Sequence, residues 1–180
     1  MKKYNLAFID VETTGFDPNN HEIIEIGGVL TKPLSLDGGL ETITEFEYKI
    51  KPEKIEKAEP QALRVNGYNE AEWLFAPTLD QVMPEVAEKT AGAIMVAHNL
   101  VFDWRFLNQA FIKTGIENKM HYAKLDTISV AFAKLFKDPV IDKFNLGSLN
   151  DYFGIKNEKA HTALADAKAT LELYQKLMAL

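Results

Sequence analysis

Apolar and acidic positions are interleaved in the first strong pattern of the chain. In "LAFIDVETTG", residues 6–15, Leu6, Ala7, Phe8, Ile9 and Val11 supply apolar groups to both faces. This predicts a strand buried on both sides that ends at a Thr-Thr-Gly turn. Side chains alternate along a strand, so Asp10 and Glu12 share a face with Leu6 and Phe8. "HEIIEIGGVLTK" and "TITEFEYKIKP" predict two more strands. The Pro, Asp and Gly residues of "PLSLDGG" between them predict an antiparallel meander. Residues 52–69 read as irregular or partly helical, with a turn at "VNGYN".

The second half alternates helical and strand patterns. Thr78 is placed to cap a helix over 79–90, where Leu79, Val82, Met83 and Val86 recur at helical spacing. "GAIMVA" predicts a buried strand and "HNL" a turn. Phe102, Phe106, Leu107, Ala110 and Phe111 then form the stripe of a helix that stops near Gly115. "AKLDTISVAFAKLF" predicts a short strand running into a helix, and "NLGSLNDYFGI" a capped short helix with Gly154 past its end. A final helix over about 162–179 carries Asp166, Thr170, Leu173, Tyr174 and Leu177 on one side. No repeat or linker interrupts the order, which predicts one α/β domain over 1–180 with a mixed sheet, antiparallel first and parallel later.

Composition narrows the class. The chain has 180 residues, 47% hydrophobic and 26% charged, the profile of an ordinary globular protein. It has no cysteine, which excludes disulfides and cysteine-ligated zinc. The apolar run before Asp10 is too short for a signal-peptide core and no later run is long enough to cross a bilayer, so the expectation is a cytoplasmic protein with no membrane contact. The net charge is −6. Proteins that grip long nucleic acid through many phosphates are usually basic on at least one face. Either nucleic acid is not the partner, or contact is confined to a few nucleotides whose phosphates are met by metal ions.

The acids then become the question. Two like charges on one partly buried face repel each other and lose hydration, so something must compensate Asp10 and Glu12. Asp103 follows a buried strand by a short turn, which places it near the carboxyl edge where open α/β sheets bind ligands. Read alone, it is equally a helix-start aspartate favoured by the macrodipole. Asp166 lies on the helix side that should be buried, and His161 on the entry turn can converge with it. Read alone, these are a capping histidine and an ordinary aspartate. No arginine or lysine sits at matched spacing to neutralise all four acids. Two divalent cations would, and hard oxygen ligands with one histidine suit Mg²⁺ or Mn²⁺ better than zinc. Such a pair, about 4 Å apart, is the usual clamp for in-line displacement at phosphorus.

"FIDVETTGFDP", "VAHNLVFDWRFL", "KLDTISVA" and "HTALADAKAT" resemble, in order, the sequence blocks of the DnaQ-like 3′→5′ exonucleases. "EIIEIGGV" and "ALRVNGYNE" fit between them. The family includes the proofreading subunit of bacterial replicative polymerase. The resemblance implies a ribonuclease-H-like fold with a five-stranded sheet flanked by helices. By position, Asp10, Glu12, Asp103 and Asp166 resemble the four metal-binding acids. His161, five residues before the last of them, resembles the general base of the histidine (DEDDh) branch. The resemblance implies two-metal-ion hydrolysis that releases nucleoside 5′-monophosphates from the 3′ end of single-stranded DNA or RNA, DNA being preferred. It leaves room for a polymerase as partner. Activity would rise from about pH 6 to 8, because a histidine base must be neutral.

By the same resemblance, the backbone around Thr13, Thr14 and Gly15 would pass beneath the terminal nucleotide, with the loop at His98, Asn99 and Phe102 beside it. Read alone, Phe102 is equally a core residue that begins the helix stripe. Lys156 and Lys159 are open to a phosphate. Asp126 and Glu25 read as structural. Two rivals differ in kind. "FIDVET" superficially resembles the nucleophile strand of haloacid-dehalogenase-type phosphatases, but the downstream lysine and paired acidic motif are missing. A non-catalytic partner module of a polymerase or ribonuclease with the same fold would not need the intact site residues.

Overall fold

The computed structural model describes residues 3–35 and 39–180. Five strands form one sheet in the order β3-β2-β1-β4-β5 among the described residues. They are β1 (Leu6–Thr13), β2 (Ile23–Thr31), β3 (Thr42–Lys49), β4 (Ile94–Ala97) and β5 (Lys124–Asp126). β1 pairs antiparallel with β2, and β2 with β3, while β1·β4 and β4·β5 are parallel. The expected order, meander first and parallel strands later, is what forms. The tip of the predicted "PLSLDGG" turn, residues 36–38, lies outside the described residues.

Seven helices accompany the sheet among the described residues: α1 (Pro60–Val65), α2 (Glu70–Trp73), α3 (Leu79–Lys89), α4 (Leu100–Thr114), α5 (Thr127–Leu135), α6 (Leu146–Phe153) and α7 (Ala163–Met178). Their ends follow capping chemistry. Asn145 accepts a hydrogen bond from the Ser148 N–H at the start of α6, and Asp126 accepts one from Ile128 at the start of α5. Gly115 and Gly154 take the left-handed conformation that stops α4 and α6. The segment read as partly helical contains one 3-10 turn at Ile55–Lys57 and α1. It folds back onto the end of β1, where the Glu59 N–H donates to the Thr14 carbonyl (2.7 Å) and Asn66 Nδ2 to the Thr13 carbonyl (2.9 Å).

β1 has the two-sided burial its pattern implied. Ala7, Ile9 and Val11 pack in one cluster with Val82, Met83 and Val86 of α3 and Phe106 and Leu107 of α4. Leu6 and Phe8 face the other way, into a cluster with Val29, Ile94, Val96 and Tyr174 of α7. Phe8 is completely buried, and its truncation to alanine would cost about 3–5 kcal/mol. A third cluster joins α5, α6 and α7 through Ala131, Leu135, Leu149, Leu173 and Leu177. The sheet is therefore covered on both sides, with α3 and α4 on one face and α7 on the other. No helix of the described residues is long and apolar enough to cross a membrane.

Candidate active site

The site forms where β1 outruns its parallel neighbour. β1 pairs with β4 only as far as Phe8↔Val96, and β4 ends at Ala97. Beyond that point the β1 backbone has lost its β4 partner. Asp103, in the first turn of α4, supplies an acceptor there: its Oδ1 receives the Val11 N–H at 3.1 Å. Val11 lies between Asp10 and Glu12, so this one bond brings the third acid to the first two. Asp103 is 3% exposed, whereas Asp10 and Glu12 are half-buried.

α7 brings the fourth acid and the histidine. Asp166 is buried in its first turn. Oδ2 of Asp166 accepts the His161 backbone N–H at 3.1 Å, and Oδ1 accepts Asn157 Nδ2. His161 is exposed and adopts φ 67°, a left-handed conformation that non-glycine residues hold at a cost of about 1–3 kcal/mol and that concentrates at functional sites. Ligand atoms of Glu12, His161 and Asp166 all lie within 4.8 Å of one another. The structure thus brings together all five residues singled out from the sequence.

Burial and crowding raise the pKa values of Asp10, Glu12 and Asp103. Burial, then the neighbouring Asp103, Asp166, Glu12 and Glu25, push the Asp10 carboxyl well above the usual carboxylate range. Burial also raises Asp103 well above it, with the Val11 N–H acting the other way. Glu12 is pushed up to about 8 by burial and by Asp166 and Glu25. Groups that repel this strongly require a cation or protons. The donor set, carboxylate oxygens with one imidazole and no sulfur, fits hard divalent ions such as Mg²⁺ or Mn²⁺.

The turn after β1 is tied by its own side chains. Thr13 donates its hydroxyl to the Gly15 carbonyl (2.7 Å), and the Thr14 hydroxyl accepts the Glu22 N–H (2.8 Å). Both threonine side chains are engaged within the protein, so the turn would meet a ligand through its backbone and Gly15. The His21 ring lies against Gly15: a Cβ there would sit 2.6 Å from it. Nδ1 of His21 accepts the Asp17 N–H at 3.0 Å. Phe102 is half-buried and packs tilted against Phe106 (5.1 Å between ring centroids), with the exposed Phe16 edge-on to it at 6.3 Å.

Asn99 is exposed at φ 65°, immediately before α4. His98 is differently placed. Its Nδ1 is 2.9 Å from the Thr127 hydroxyl, and burial holds the ring below the ordinary imidazole range, with Asp126 and the Phe144 carbonyl acting the other way. Asp126 matches its structural reading, accepting backbone N–H groups of Asn99, Leu100 and Ile128 and so tying the starts of α4 and α5 together. The residues the pattern did not single out are Phe16, His21 and Asn157. An aromatic directly after the Thr-Thr-Gly turn was a usable signal for Phe16. The other two lie in loops without periodicity.

The fold and the family recur among known proteins. The structure shares the ribonuclease-H-like fold of Escherichia coli exonuclease I bound to single-stranded DNA (TM-score 0.80, 17% identity, covering 96% of this chain and 40% of that one). It also superposes on exonuclease X in complex with 5′ overhanging duplex DNA (TM-score 0.70, 24% identity, 96% of this chain and 90% of that one). The exonuclease family model that bears the name of RNase T matches residues 7–174, and the chain belongs to that family.

Among curated relatives, the PolC-type DNA polymerase III of Caldanaerobacter subterraneus subsp. tengcongensis is 32% identical over 171 residues, 94% of this chain. The epsilon subunit of DNA polymerase III from Aquifex aeolicus is 31% identical over 176 residues. This chain spans 11% of the length of the first and 78% of the second.

Proposed function

We propose that residues 1–180 form one exonuclease domain that removes nucleotides one at a time from the 3′ end of single-stranded nucleic acid, preferably DNA. The observation that carries this reading is the convergence of Glu12, Asp166 and His161 within 4.8 Å, beside the Asp10–Val11–Asp103 junction. Divalent cations held by Asp10, Glu12, Asp103 and Asp166 would supply Lewis acidity and charge neutralisation at the scissile phosphate. A ring nitrogen of His161 accepts the proton of the attacking water, and the adjacent carboxylates of Glu12 and Asp166 steady the imidazolium that results. Attack at phosphorus breaks its bond to the 3′ oxygen of the preceding nucleotide, which leaves and takes up a proton. The products are a nucleoside 5′-monophosphate and a chain one nucleotide shorter.

The Thr13–Gly15 turn would support the terminal nucleotide from below, and Phe16 and Phe102 offer ring faces on which a base stacks without its sequence being read. Asn99 and His98 flank that position, His98 by holding the wall through Thr127. DNA is favoured because the relatives above are DNA polymerase chains and the superposed exonucleases were captured with DNA. The same relatives make a polymerase a reasonable partner.

The test is a gel assay on matched 5′-labelled single-stranded DNA and RNA with Mg²⁺ or Mn²⁺, an EDTA control and the Asp10→Ala variant. A metal-dependent ladder that shortens from the 3′ end and vanishes in the variant supports the proposal. Absence of shortening on both substrates, from folded protein, overturns it.

A further inference from the structure

β2 lies beside the acids of β1 in register, Asp10 opposite Gly27 and Glu12 opposite Glu25. Both β2 residues touch the start of α7. A Cβ on Gly27 would fall 2.1 Å from the Leu164 nitrogen and 2.2 Å from the Ala163 carbonyl carbon, so the first turn of α7 rests directly on that glycine. Oε1 of Glu25 accepts the Ala163 N–H at 2.8 Å in a buried setting. His161 lies two residues before that nitrogen and Asp166 three residues after it.

The acid at position 25 is electrostatically adverse. It adds to the repulsion felt by Asp10 and Glu12, and burial raises its own carboxyl above the usual range. Lys49, opposite it on β3, offsets this in part, but its ammonium is paired with Glu72 and lies over the face of Trp73 (4.0 Å to the ring centroid). Glu47 on β3 hydrogen-bonds the Glu25 side chain as well, and the bond to Ala163 is the contact that reaches α7.

We propose that Glu25 is a positioning residue for the reaction. It fixes the start of α7 against β2, and thereby sets His161 and Asp166 at the distance from Asp10 and Glu12 that the chemistry requires. Reach, not charge, is the property it supplies. The inference rests on the catalytic reading of His161 and Asp166.

Two substitutions separate reach from charge. Glu25→Gln keeps an acceptor at the same distance and loses the charge; Glu25→Asp keeps the charge and falls one methylene short of Ala163. Steady-state kinetics on a single-stranded oligonucleotide and Mn²⁺ binding followed by electron paramagnetic resonance are measured for both, with thermal melting to confirm folding. Glu25→Asp should lose roughly 10–100-fold in kcat and weaken Mn²⁺ binding, the range seen when a residue orienting metal ligands is removed, with KM little changed. Glu25→Gln should stay close to the parent in both. Equal loss in the two variants, or none in Glu25→Asp, overturns the proposal. Asp166→Ala run in parallel reports on the underlying reading: if that variant keeps full activity, the catalytic assignment fails, independently of Glu25.

Discussion

Asp103 receives the backbone N–H of Val11, 92 positions away in sequence, at 3.1 Å. The bond stands where β4 would have continued had it not ended at Ala97. A carboxylate from a helix thus replaces a strand carbonyl beyond the carboxyl end of β4, between two other acids. The first two acids belong to one strand, and the third is keyed to that strand's backbone. Assembly of the site therefore depends on β4 being short.

Repulsion among these acids implies a trade between stability and activity. Asp10 is pushed up first by burial and then by Asp103. Asp10→Asn removes the ionisable group at the centre of the cluster. Without metal at pH 8 the variant should melt a few degrees above the parent, each ~1 kcal/mol being worth roughly 2–4 °C at this chain length, and its exonuclease activity should be lost. Melting curves in EDTA beside a nuclease assay check both halves.

The pH dependence of metal-free stability follows from the same groups. Glu12 stands at about 8 in the folded protein against an ordinary 4.5, and Asp10 and Asp103 are raised as well. A group raised on folding binds more protons in the native state, so its contribution is intact below the unfolded value and is lost as pH climbs through the folded one. Urea midpoints in EDTA should fall between about pH 5 and 8.5. Saturating Mg²⁺ should flatten that fall, because a cation replaces the protons.

His161 carries the base assignment, and its removal has a kinetic signature. His161→Gln should lower kcat by about 10²–10⁴-fold. The acid-side rise of the rate with pH should be reduced in the variant, since a neutral amide has no proton to lose. A pH–rate profile of parent and variant, at saturating Mn²⁺, decides it.

Gly15 is a point of close approach. Gly15→Ala would drive a methyl group into the His21 ring and shift the Thr13–Gly15 turn. The KM for an oligonucleotide should rise with little change in melting temperature. His21→Asn, which can still accept the Asp17 N–H, should be milder than His21→Ala.

Much of this was legible in the sequence. Asp10 and Glu12 stood out because strand alternation put two acids on a face shared with Leu6 and Phe8, and that face packs against α7. Asp103 and Asp166 were readable from a strand-turn-helix pattern and a helical stripe. The contacts of Glu25, Asn157 and His21 were not, because each joins segments whose approach only the tertiary fold decides. Glu25 read as structural, yet its partner lies 138 positions away. Gly27, inside a strand pattern, did carry a signal, since glycine there marks close backbone approach. What approaches it was not written locally.

In the proposed site, Asp10, Glu12, Asp103 and Asp166 converge to hold divalent cations, with His161 beside Glu12 and Asp166 as the base. Isothermal titration of the metal-free protein with Mn²⁺ at pH 7.5, without nucleic acid and in two buffers of different protonation enthalpy, tests it most directly. Two ions should bind with net proton release, as the raised carboxyls give up their protons, and binding should weaken in Asp10→Ala. No binding up to millimolar Mn²⁺, or undiminished binding in that variant, would contradict it.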